Sequence, residues 1–98
     1  MRCKVILVDL DGTLCTGICW TAKDCGKAIP RQDIIDRVNR LYRENFIVIF
    51  TARRDHLIPA TLKWLRMNNV QFHAFSNFKC TGDCYIDDKA VKPEDPSW

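Results

Sequence analysis

Apolar residues fall in two rhythms along this chain. Short continuous runs rich in β-branched residues occur at Lys4 to Val8 (KVILV) and Phe46 to Phe50 (FIVIF). Such runs suit strands buried on both faces of a sheet. Val70 to Phe75 predicts a third strand, and Tyr85-Ile86 a short fourth. Between the first two runs, Ile34, Ile35, Val38, Leu41 and Tyr42 share one face at helical spacing, with Asp33, Asp36, Arg37, Arg40, Arg43 and Glu44 opposite. That pattern predicts a helix from Arg31 to Asn45, opened by Pro30 and capped at its end by Asn45. A second helix is predicted from about Ile58, with Ile58, Leu62 and Leu65 in register, Pro59 in its first turn and Asn68-Asn69 at its end. Residues 15–29 read as a loop or small flap, and residues 91–98 as an irregular tail.

The predicted order is β, loop, α, β, α, β, loop, β. Helices alternating with apolar strands imply an α/β fold: a Rossmann-like parallel sheet with helices on both faces. The 98 residues amount to one domain. A hydrophobic share of 47% with 28% charged residues is ordinary globular composition. The net charge of +3 suits anionic substrates without pointing to nucleic acid. No apolar run approaches the roughly 18 residues of a membrane span. The N-terminal apolar run meets Asp9 too soon for a signal peptide, so the expected location is the cytoplasm. The six cysteines are expected to be reduced and unliganded, with zinc and disulfides as the alternatives. Trp20, in the flap, is expected to pack, with stacking on a sugar or base as its alternative.

In parallel sheets, ligands bind beyond the carboxyl ends of the strands. Polar groups follow every predicted strand: Asp9, Asp11 and Thr13; Thr51, Arg53 and Arg54; Ser76, Asn77 and Lys79; Asp87, Asp88 and Lys89. Each has an ordinary explanation alone, as a turn residue, helix cap or surface lysine. None of these explains their common location. Carboxylates brought that close suppress one another's ionisation unless a counter-charge is present. Lys79 supplies one positive charge. A hard divalent cation supplies two, and Mg²⁺ keeps waters and a substrate phosphate among its oxygen ligands. These residues therefore suggest a metal–phosphate site.

VDLDGTL at Val8 to Leu14, Thr51 after a buried strand, Lys79, and Asp87-Asp88 occur in the order of the four motifs of the haloacid dehalogenase superfamily, which this chain resembles over roughly residues 4–89. Ala28-Ile-Pro30, Asn39 to Tyr42, Thr51 to Arg53 and Tyr85 to Ala90 are similar to a compact subgroup labelled phosphatases of capsular polysaccharide biosynthesis. TARRD followed by Thr61 to Leu65 is similar to the phosphatase half of phage polynucleotide kinase–phosphatases. The resemblance implies an Mg²⁺-dependent phosphomonoesterase. Asp9 would be the nucleophile, Asp11 the general acid and base, Thr51 a phosphoryl-oxygen donor and Lys79 the neutralising cation, with Lys89 as the alternative lysine. Metal would be held by the Asp9 carboxylate, the Asp11 carbonyl, and Asp87 or Asp88. Thr13, Arg53 and Arg54 would contact substrate, the arginines through a second anionic group. Residues 15–29 are too few for a cap domain, so the site should be open to a large substrate or to closure by another subunit. The implied substrate is a sugar-type or nucleotide phosphate. A 3′-phosphate on nucleic acid and a non-catalytic Mg²⁺ or phosphate-binding module are the alternatives.

Overall fold

The computed structural model describes residues 4–16, 20–78 and 82–86. Four parallel strands form one sheet in the order β5-β4-β1-β6: β1 (Val5–Asp9), β4 (Phe46–Phe50), β5 (Ala74–Ser76) and β6 (Cys84–Ile86). Ile6, Leu7 and Val8 in β1, and Ile47, Val48 and Ile49 in β4, are all buried. Their continuous apolar character thus reflects burial on both faces. The register sets Ile6 beside Ile47 and Val8 beside Ile49, with Val8 also beside Ile86.

Helix α2 (Gln32–Tyr42) carries the chain from β1 to β4, and α3 (Ile58–Met67), entered through a 3₁₀ turn at Asp55–Leu57, carries it from β4 to β5. Both crossovers step the same way across the sheet. A right-handed connection then puts both helices on one face. The core agrees, since Ile34, Ile35 and Val38 of α2 join Trp64 and Leu65 of α3 in one cluster with Ile6, Val8, Ile47, Ile49 and Ile86. Leu7 and Val48 alternate onto the opposite face and stand outside that cluster. The expectation of helices on both faces is therefore not met among the described residues. On that second face the backbone at Gly82 lies against Leu7, where an added Cβ would fall 2.0 Å from Cδ1.

Residues 15–29 are more ordered than a loop. Strand β2 (Cys15–Thr16) pairs antiparallel with β3 (Ile29–Pro30), and α1 (Ala22–Gly26) lies between them. Pro30 thus ends a strand rather than opening α2. Thr21 and Asp24 form a reciprocal capping box at the start of α1. The indole N–H of Trp64 donates to the Ala28 carbonyl at 2.9 Å, tying the flap to α3. Trp20 is 77% exposed, so it does not pack as expected. Cys15 and Cys84 are free, whereas Cys25 is disulfide-bonded, against the expectation of reduced thiols. Cys3, Cys19 and Cys80, one of which must be its partner, lie outside the described residues. Among the described residues no helix is long and apolar enough to cross a membrane.

The ends of the helices are chemically defined. At the end of α3, Asn69 adopts φ 56°, the Val70 N–H reaches the Leu65 carbonyl at 3.0 Å, and the Asn69 N–H reaches Arg66 at 3.1 Å. This is a Schellman closure with asparagine in the left-handed position. Asn45 is buried beyond α2 rather than capping it through the backbone. Its amide donates to the Leu41 carbonyl at 3.0 Å and its Oδ1 accepts the Lys4 N–H at 3.1 Å. At the amino edge of the sheet the His73 ring stacks on both Tyr42 and Phe46, and its Nδ1 accepts the Ile47 N–H at 3.0 Å.

Candidate active site

The strand order reverses between β1 and β6, which places the expected crevice at the carboxyl end of β1. Asp9 is the last residue of β1, half-buried and in register with Phe50 at the end of β4. The chain then turns tightly. The Leu10 carbonyl accepts the N–H groups of Thr13 (3.2 Å), Leu14 (2.9 Å) and Cys15 (3.3 Å). Gly12 has φ 82°, a left-handed conformation that favours glycine, although open space surrounds its Cα. The glycine of Asp-x-Asp-Gly is thus required by backbone angle, not by crowding.

Two residues past Asp9, Asp11 meets Arg53. Arg53 Nε donates to Asp11 Oδ2 at 3.1 Å and Nη2 to Oδ1 at 2.7 Å, a bidentate pair. The Arg53 side chain is 4% exposed and that of Asp11 40% exposed. The third corner of the guanidinium, Nη1, donates to Thr61 Oγ1 at 3.0 Å, and the Thr61 hydroxyl donates to the Leu57 carbonyl at 2.8 Å. Nη2 also lies 3.9 Å from Cys15 Sγ. Four donor contacts of the five that arginine can make are therefore spent inside the protein. Arg53 thus holds Asp11. Arg54, its neighbour, is exposed and remains at that edge.

Cys15 sits under Asp11, with Sγ 3.6 Å from the Leu10 carbonyl and 3.8 Å from Asp11 Oδ1. Burial pushes its thiol up to about 12; the Asp11 carboxylate adds to the rise and Arg53 opposes it. Cys15 thus stays an S–H donor and not a nucleophile.

Thr51 follows β4 and is fully buried. Its N–H donates to the Ser76 carbonyl at 3.1 Å, joining the ends of β4 and β5, and its Oγ1 accepts the Arg53 N–H at 3.1 Å. The loops beyond these strands are further joined by Asn77, whose amide donates to Asp55. Thr13 is fully buried and its hydroxyl has no hydrogen-bond partner among the described residues. Lys79, Asp87, Asp88 and Lys89 lie outside the described residues.

The structure therefore brings Asp9, Asp11, Thr51 and Arg53 to one edge. It adds Thr61 and Cys15, which the sequence reading left out. Thr61 carried a signal, because a threonine on the apolar stripe of a helix has a hydroxyl that needs a partner. Among the described residues, no three His, Cys, Asp or Glu side chains come together as a metal cluster. The Asp9 carboxylate and Asp11 carbonyl are hard oxygen donors of the kind Mg²⁺ prefers. No family model, curated protein or solved structure matches this chain.

Proposed function

We propose that this chain is an Mg²⁺-dependent phosphomonoesterase of the haloacid dehalogenase type, acting through an aspartyl-phosphate on Asp9. The observation that carries the reading is the pair of carboxylates at the carboxyl end of β1. One stands half-exposed at the strand end and the other is held apart by a buried arginine. Two carboxylates in different surroundings suit two different tasks.

Asp9 attacks phosphorus and the ester P–O bond breaks. Asp11 gives a proton to the departing oxygen, then takes one from the water that hydrolyses the aspartyl-phosphate. The Thr51 hydroxyl lies at the end of β4 to hydrogen-bond a phosphoryl oxygen, and exposed Arg54 suits a second anionic group of the substrate. The bound cation, held by the Asp9 carboxylate, the Asp11 carbonyl and Asp87 or Asp88, would offset negative charge between nucleophile and phosphate. Lys79, with Lys89 as the alternative, would complete that neutralisation. The proposed substrate is a sugar-type or nucleotide phosphate.

The test is phosphate release from a panel of sugar phosphates, nucleotides and a 3′-phosphorylated oligonucleotide, with magnesium or with chelator. Magnesium-dependent release is expected from a small monoester. Absence of release from every member, in folded protein, would overturn the reading.

A further inference from the structure

The Asp11 carboxylate offers about four lone-pair positions. Its contacts are unevenly shared: among the described residues, Oδ1 receives Arg53 Nη2 and the Cys15 thiol, while Oδ2 receives Arg53 Nε alone. Arg53 can hold this geometry because its far corner is tied to Thr61, and the Thr61 hydroxyl is itself oriented by the Leu57 carbonyl. Thr61 lies within α3, on a different element from either carboxylate, and is fully buried. The chain Leu57–Thr61–Arg53–Asp11 is continuous and has no solvent-exposed link before Asp11.

We infer that Thr61 and Arg53 are positioning residues that fix the Asp11 carboxyl group so that Oδ2 is the oxygen left to exchange a proton. This rests on Asp11 serving as the acid and base of the proposed phosphatase. The proton on Oδ2 passes to the leaving-group oxygen as the P–O bond breaks and the Asp9–phosphorus bond forms. Water returns a proton to Oδ2 as the aspartyl-phosphate is hydrolysed. Neither Thr61 nor Arg53 takes up or gives up a proton in either step.

Leaving groups separate positioning from general damage. p-Nitrophenolate departs without protonation, whereas the more basic phenolate of phenyl phosphate needs the acid. The experiment measures kcat/KM with magnesium on both esters for wild type, Thr61→Val, Thr61→Ser and Arg53→Lys, with thermal unfolding of each. Valine keeps the shape of threonine and removes the acceptor; serine keeps the acceptor. A misplaced general acid forfeits part of its roughly 10²–10⁴-fold contribution, so Thr61→Val should lose about tenfold or more on phenyl phosphate and little on p-nitrophenyl phosphate. Thr61→Ser should retain wild-type behaviour on both. Arg53→Lys keeps the charge but not the fork, and should show the same leaving-group signature; it carries the test if Thr61→Val does not fold. Equal losses on the two esters, or none, would overturn the positioning role while leaving the phosphatase reading in place. Wild-type protein inert toward both esters would overturn the phosphatase reading, and the relay's catalytic role with it.

Discussion

Alkaline pH should destabilise this protein through one buried thiol. Cys15 is fully enclosed, and its thiol is pushed from 9.0 up to about 12, first by burial and then by Asp11. In the unfolded chain the same thiol ionises near that starting value of 9.0. Below that pH both states keep the proton and the stabilisation is fully present. Between there and about 12 only the unfolded chain releases it, so stability falls as pH rises. One proton corresponds to about 1.4 kcal/mol per pH unit, so going from pH 8 to pH 10.5 should cost about 2 kcal/mol through Cys15. Urea unfolding of wild type and Cys15→Ala at both values, without reductant so that the Cys25 disulfide persists, isolates this effect. Alanine will carry its own packing loss at both pH values. The wild-type advantage should nevertheless shrink by about 2 kcal/mol at the higher pH. Cys84, also raised by burial, contributes equally to both proteins and cancels. An advantage that does not change with pH would refute the reasoning.

Other substitutions probe the frame around the site. Gly82→Ala should destabilise by about 1–3 kcal/mol, because its Cβ would meet Leu7 Cδ1 and the Val5 carbonyl. Adding Leu7→Val removes the colliding methyl, so the double variant should be more stable than the sum of the singles in a urea-unfolding cycle. The adjacent arginines should part company: Arg54→Ala should raise KM several-fold with stability within about 0.5 kcal/mol of wild type, as expected of an exposed side chain. Arg53→Ala should lower kcat and cost about 2 kcal/mol, since it leaves Asp11 and Thr61 without their partner.

Much of the frame was legible because strong local signals agreed with the tertiary outcome. FIVIF forms β4 over the residues its apolar run marked, and the Ile58 start and Asn68-Asn69 end of α3 follow from Pro59 and the left-handed asparagine. The third strand starts later than its apolar run because Val70 closes α3 and the Gln71 N–H goes to Asn39 Oδ1. Those backbone groups are spent before the sheet begins. Helix α1 spans five residues, too few to show a period, and so the flap looked irregular. The face on which the helices lie depends on strand order, which local patterning does not encode. At the site, Asp9 and Asp11 stood out by spacing after a strand. The inward turn of Arg53 did not, because its direction is set by Asp11, 42 residues away in sequence, together with Thr61 on the following helix, and these converge only in the fold.

The most direct measurement is phosphate release from the best substrate of the panel by wild type and Asp9→Asn, each with magnesium and with chelator, in protein of equal thermal stability. The account predicts release only from wild type with magnesium, with Asp9→Asn lowered by roughly a thousandfold or more, since the isosteric amide cannot attack phosphorus. Comparable release by Asp9→Asn would contradict it.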